Sequence, residues 1–88
     1  MIENFYLLKK VIREEIGTHA DPLLSFGITK DLDYLSKYPL HTKKLKLSYY
    51  IKTLDILLEL EVLHNGYSIR VSKIIIRYPN GEIKEREV

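Results

Sequence analysis

Cysteine is absent from this 88-residue chain, so neither a disulfide framework nor a thiolate-rich metal site can brace it. Its fold must rest on one hydrophobic core. A chain of this length buries only about 60% of the surface its unfolded form exposes, which leaves little room for a conventional enzyme. Tryptophan and glutamine are absent as well, and alanine occurs once, as Ala20. Long apolar runs are also missing, since none approaches the ~18 residues a membrane span requires. The amino terminus has no charged, apolar and small-residue succession of the secretory type, and the expectation is an intracellular, cytoplasmic protein. Hydrophobic residues nevertheless make up 45% of the sequence, enough to argue against wholesale disorder.

Signatures of catalysis are missing too. The chain has no G-x-x-x-x-G-K-[ST], G-x-G-x-x-G or G-x-S-x-G. His19, His41 and His64 are widely separated, outside the spacings of zinc ligands, and each reads as a surface histidine. No pair of carboxylates stands out as opposed or buried for acid-base work. On these grounds no catalytic residue, cofactor or metal ion is expected.

What is present is charge arranged in blocks. The formal net charge is only +2, but its distribution is uneven. Residues 30 to 52 carry six basic and two acidic groups. Residues 53 to 66 carry only Asp55, Glu59 and Glu61, and residues 67 to 78 only Arg70, Lys73 and Arg77. Two basic segments flank an acidic one, so the small total conceals surfaces of opposite sign.

Periodicity supplies the elements. Phe5, Leu8, Ile12 and Ile16 recur at helical spacing with Leu7 and Val11 beside them, and Gly17 is a stop signal. Residues 18 to 29 read as a connector with a short helical turn near Leu23 and Leu24. Thr29 is placed to cap a second short helix with Leu32, Leu35 and Tyr34 on its apolar face, ended by Pro39. A third helix is expected from a cap at Thr42 or Ser48 to about Leu60. Spacing residues 100° apart gathers Tyr50, Ile51, Leu54, Leu57 and Leu58 on one side, and Ser48, Tyr49, Lys52, Asp55, Ile56 and Glu59 on the other. Asn65-Gly66 and Pro79-Asn80-Gly81 then mark turns between two to four short antiparallel strands.

The stretch "LSYYIKTLDILLELEVLHNGYSIRV", residues 47 to 71, resembles the recognition helix and wing of winged helix-turn-helix regulators. The resemblance implies an α+β fold, a three-helix winged helix-turn-helix with a C-terminal antiparallel hairpin or small sheet, as a single domain over residues 1–88. It departs from the family at Glu61, where glycine is common, and in the long segment between the second and third helices. A second likeness, "GITKDL" followed by a long apolar helix and "YSIRV", is similar to FinO/ProQ-type RNA-binding domains, although the acid that follows their strand motif is missing.

Under the first resemblance, the third helix enters the major groove of double-stranded DNA as part of a transcriptional regulator. Lys43, Lys44, Lys46 and Lys52 sit at its start while Asp55, Glu59 and Glu61 fall later, an order that opposes the helix dipole and so points to a use other than helix stability. Ser48, Tyr49 and Lys52 are the candidates for base contacts, and Arg70, Lys73 and Arg77 for backbone contacts from the hairpin. The modest net charge favours a homodimer, with Ile56 and Ile74-Ile75-Ile76 as candidate partner surface, although core packing is expected for Ile74 and Ile76. Structured RNA is the alternative nucleic acid, and a protein-interaction module that binds none is the alternative of another class.

Overall fold

The structure, a computed structural model, describes residues 2–38, 43–66 and 68–88. It contains α1 (Phe5–Ile16), a 3-10 turn (Gly17–Ala20), a π-helical turn (Leu23–Ile28) running into α2 (Thr29–Lys37), and four strands. The strands are β1 (Lys44–Ile51), β2 (Ile56–His64), β3 (Ile69–Arg77) and β4 (Ile83–Glu87), which form one antiparallel sheet in the order β1-β2-β3-β4. The helices cover one face of this sheet. Sequence expectations at Pro39, His41, Thr42 and Tyr67 lie outside the described residues.

Both helices follow their apolar spacing. Leu8, Val11, Ile12 and Ile16 are buried along α1, which ends where Gly17 takes φ +77 and its N–H reaches the carbonyl of Arg13. Left-handed backbone is open to glycine at little cost, so the stop sits where the sequence places it. Leu24, Ile28 and Leu32 continue one buried stripe at four-residue spacing through the π turn into α2. Thr29 does not cap α2. It has helical dihedrals, and its hydroxyl donates to the Leu24 carbonyl instead.

The expected third helix does not form, and the three-helix winged helix-turn-helix is corrected to two α-helices on a four-stranded sheet. Residues 44 to 64 are β1, a four-residue turn and β2. The physical reason is a period of 2 that the leucine-rich composition obscures. Leu45, Leu47, Tyr49 and Ile51 alternate with Lys44, Lys46, Ser48 and Tyr50, and Leu58, Leu60 and Val62 alternate with Glu59 and Glu61. A strand puts each alternating set on its own face, whereas a helix would scatter both. Between the strands Asp55 takes φ 52, and backbone bonds Leu54 to Ile51 and Asp55 to Lys52 close the turn. Ile56, read as lying on a polar side, faces the core and is buried.

The later turns stand where expected. Asn65 N–H donates to the Ser68 carbonyl between β2 and β3. Tyr78 N–H donates to Glu82, with Gly81 at φ +89, between β3 and β4. Paired across the sheet, Leu58 and Ile76, Leu60 and Ile74, and Val62 and Val71 point at the helices and are fully buried. The pairing shifts between Glu61 and Val62, which leaves Ser72 as the extra residue of a bulge.

Three polar devices tie helices to sheet. His64 is buried rather than at the surface, so the surface reading is corrected: its Nδ1 accepts the Gly66 N–H, leaving Nε2–H to donate to the carbonyls of Leu35 and Tyr38 at 3.0 and 3.1 Å. That satisfies carbonyls at the α2 C-terminus that have no intrahelical partner. Glu15 of α1 pairs with Lys84 and Arg86 of β4, each at 2.9 Å. Asn4 donates to the Val71 carbonyl at 2.7 Å and accepts the Val71 N–H at 3.1 Å, while Glu3 N–H reaches Ile69. Residues 2–4 therefore close the part of the β3 edge that β4 leaves uncovered.

Candidate interaction surface on the open sheet face

The face of the sheet turned away from the helices collects most of the basic residues singled out in the sequence. Strict alternation and the pairing register place Lys44, Lys46, Ser48 and Tyr50 of β1 on it, with Leu63, Glu61, Glu59 and Leu57 of β2 opposite. Arg70, Lys73, Ile75 and Arg77 of β3 follow, and then Glu87, Glu85 and Ile83 of β4. Six of the nine sequence candidates, Lys44, Lys46, Ser48, Arg70, Lys73 and Arg77, therefore share one surface. Lys43 precedes β1, and Lys52 lies in the turn after it; both are exposed.

Tyr49 belongs to the other face. It is half-buried against the helices, and its hydroxyl donates to Asp31 of α2 at 2.7 Å. Burial, reinforced by the neighbouring Asp31 carboxylate, pushes the Tyr49 hydroxyl well above the ordinary tyrosine range. Tyr49 and Ser48 thus point in opposite directions, because consecutive strand residues do.

Two glutamates missed as site residues organise the open face. Glu59 lies between Arg77 at 2.5 Å and Lys46 at 3.7 Å, and Glu61 between Lys44 at 3.4 Å and Lys73 at 3.9 Å. Hydrogen bonding by Arg77 holds the Glu59 carboxyl below its ordinary range, and Lys46 adds to the effect. For Glu61 the Ser72 hydroxyl, donating at 3.0 Å, is the main cause of a lowered pKa, with Lys44 next. Lys73 also reaches Glu85 at 3.6 Å. The four cations of the central patch are thus engaged with carboxylates of their own sheet.

Signs alternate across all four strands along one row. Lys46 stands opposite Glu61, Glu61 opposite Lys73, and Lys73 opposite Glu87. The second row beyond it runs Tyr50, Leu57, Arg77, Ile83 and leaves its two ends 60% and 55% exposed. Between the rows Ile75 is only 5% exposed although it faces away from the core, which means the aliphatic stems of its charged neighbours close over it. The signal for this arrangement was in the sequence, as Lys-x-Lys, Glu-x-Glu and Glu-x-Glu at two-residue spacing in residues 44–46, 59–61 and 85–87.

The strand edges differ. The bond from His64 N–H to the Lys43 carbonyl sets the phase of the ladder, so residues 45, 47, 49 and 51 turn their backbone groups toward β2. Those of Lys44, Lys46, Ser48 and Tyr50 point out of the sheet. At the far side the Tyr78 to Glu82 and Val88 to Ser72 bonds set the same phase, and Ile83, Glu85 and Glu87 point outward. One edge is basic and the other acidic.

Away from the sheet, Tyr6, Lys9, Lys10, Arg13 and Glu14 line a surface depression on α1, remote from the rows above. Among the described residues no three His, Asp or Glu side chains converge on a common metal position, and no helix is long and apolar enough to cross a membrane. Comparison with protein-family models, with curated proteins and with solved structures finds no match for this chain.

Proposed function

We propose that this chain is a non-catalytic protein-interaction module that takes an extended, acidic segment onto its β1 edge. The observation that carries this reading is the contrast between two stretches of edge. The protein seals the exposed start of β3 with Ile2–Asn4, using the Asn4 side chain as a stand-in for a peptide group. It leaves the longer β1 edge, eight residues, without any such cover among the described residues. Strand addition to an edge of this kind gains its affinity from main-chain hydrogen bonds and its selectivity from alternate side chains. Here those side chains are Lys44, Lys46, Ser48 and Tyr50, which favour carboxylates at alternate positions of the incoming strand.

Double-stranded DNA and structured RNA are less well supported. The helix that the winged helix-turn-helix reading places in a major groove is absent, because residues 44 to 64 form β1 and β2. Four of the candidate cations, Lys44, Lys46, Lys73 and Arg77, already face Glu59, Glu61 and Glu85.

Amide hydrogen exchange with added probes tests the reading. A peptide of alternating glutamate and valine is expected to slow exchange at Lys44, Lys46, Ser48 and Tyr50, and a lysine–valine peptide is not. Duplex DNA or hairpin RNA binding at low salt, weakened by Lys44→Ala and Lys46→Ala, would replace this function with a nucleic-acid one.

A further inference from the structure

Building on that reading, we infer that the segment accepted by β1 is β4 of a second copy of this chain, so that the sheets of successive molecules join head to tail. Direction permits it. In the order β1-β2-β3-β4 every neighbour is antiparallel, so β1 and β4 of one molecule run oppositely. A second molecule translated sideways therefore brings its β4 antiparallel to β1 of the first, with both helix layers on the same side.

Phase and chemistry select one register. The outward backbone groups of β1 belong to even-numbered residues and those of β4 to odd-numbered ones, and their side chains all lie on the open face. Continuing the existing rows straight across the junction sets Lys46 opposite Glu87, Ser48 opposite Glu85, and Tyr50 opposite Ile83. The charged row then keeps its alternation of sign. The apolar row joins its two exposed ends, Tyr50 and Ile83, and covers both. A shift by two residues would set Lys44 opposite Glu87 and Lys46 opposite Glu85 but leave Tyr50 and Ile83 unmatched, so the apolar row decides this alignment.

The competing self-pairings lack that match. On the open face, two β1 edges bring together Lys44 and Lys46 from each copy with no added carboxylate, and two β4 edges bring together Glu85 and Glu87. Like charges at close cross-strand positions oppose pairing. A head-to-tail contact is heterologous, and it generates a ring or an open chain of molecules according to the rotation at each step.

Because the chain has no cysteine, introduced thiols are unique. Ser48→Cys and Glu85→Cys, made in separate molecules and mixed under mild oxidation, are expected to form the mixed disulfide in preference to either homodisulfide. Within one molecule these positions lie on opposite sheet edges, roughly 14 Å apart for three strand spacings, out of disulfide reach. In parallel, sedimentation of the cysteine-free protein is expected to show average mass rising with concentration. Ser48→Pro, which removes an outward N–H and no ladder bond, abolishes that rise while its thermal melt stays cooperative. Lys46→Glu and Glu87→Lys each weaken association, and mixing the two restores it.

A wild-type chain that stays monomeric at every concentration overturns the inference, as does a preference for the Ser48→Cys homodisulfide, which would mean β1 pairs with β1. If the chain stays monomeric but the glutamate–valine peptide still protects the β1 amides, only the identity of the occupant falls. If neither occurs, the strand-docking function falls with it.

Discussion

The two faces of the sheet hold themselves together by different physics. Toward the helices, Leu58, Leu60, Val62, Ile69, Val71, Ile74 and Ile76 are fully buried in an apolar layer. On the open face the same strands carry Glu59, Glu61, Lys73 and Arg77 in a network of ion pairs, with Ile75 and Glu59 closed over at its centre. The difference separates two tasks. Apolar burial is insensitive to partner and register at the surface, and it fixes the fold; a pattern of alternating signs contributes little to stability in water but specifies what lies next to it.

The sharpest way to break this comparison uses two adjacent residues of β3. Ile74→Ala on the helix face is expected to cost about 2–5 kcal/mol, because a cavity there is enclosed on all sides. Ile75→Ala on the open face is expected to cost roughly 1–2 kcal/mol, since the lysine and arginine stems above it can settle into the gap. Chemical denaturation of both variants measures the pair. Equal losses would mean the open face is a second core.

Next in size is the polar tie between the layers. His64→Ala leaves the Leu35 and Tyr38 carbonyls and the Gly66 N–H without their side-chain partner, an expected loss of about 1–3 kcal/mol by the same denaturation assay. The loss should appear first as faster amide exchange in the last turn of α2.

A smaller effect is expected from the ion pairs, and its sign with pH is fixed. Arg77 lowers the Glu59 pKa, and Lys84 followed by Arg86 lowers that of Glu15. A carboxyl depressed in the folded state contributes stability that is fully present above its unfolded value, about 4.3 for glutamate. That contribution is lost as pH falls through the folded value. The melting temperature should therefore fall between about pH 5 and pH 3, and Glu59→Gln should make that fall shallower. A melting temperature unchanged over this range would remove the network from the stability account.

Smallest for stability is the edge itself. Lys46→Ala should change unfolding free energy by no more than about 0.5 kcal/mol, as surface substitutions do. Its effect belongs to association.

How much of this was legible in the sequence follows the same division between faces. The periodicity of Phe5 to Ile16 gave α1 and its glycine stop, and the Asn-Gly and Pro-Asn-Gly turns located both later hairpins. Residues 44 to 64 misled because leucine is a strong helix former and because Ile51, Leu54 and Leu58 also fall at helical spacing. The deciding signal was the strict alternation of Lys44 to Tyr49 and of Leu58 to Val62, which no helix can use. Candidate basic residues of residues 44–48 and 70–77 were placed on one surface by the strands, not by a helix start and a wing. Helical spacing makes Glu59 and Glu61 the acidic far end of a helix, whereas pairing across strands, which no local spacing reveals, makes them the partners of those same cations. His64 was unreadable for the same reason: its partners lie 29 and 26 residues away.

The central claim is that the β1 edge exists to be paired, and amide hydrogen exchange of the unmodified protein at low and high concentration tests it most directly. The account predicts that Lys46, Ser48 and Tyr50 gain protection as concentration rises, together with Ile83, Glu85 and Glu87, while the amides of β2 and β3 stay unchanged. Exchange at all six positions that is independent of concentration would contradict it.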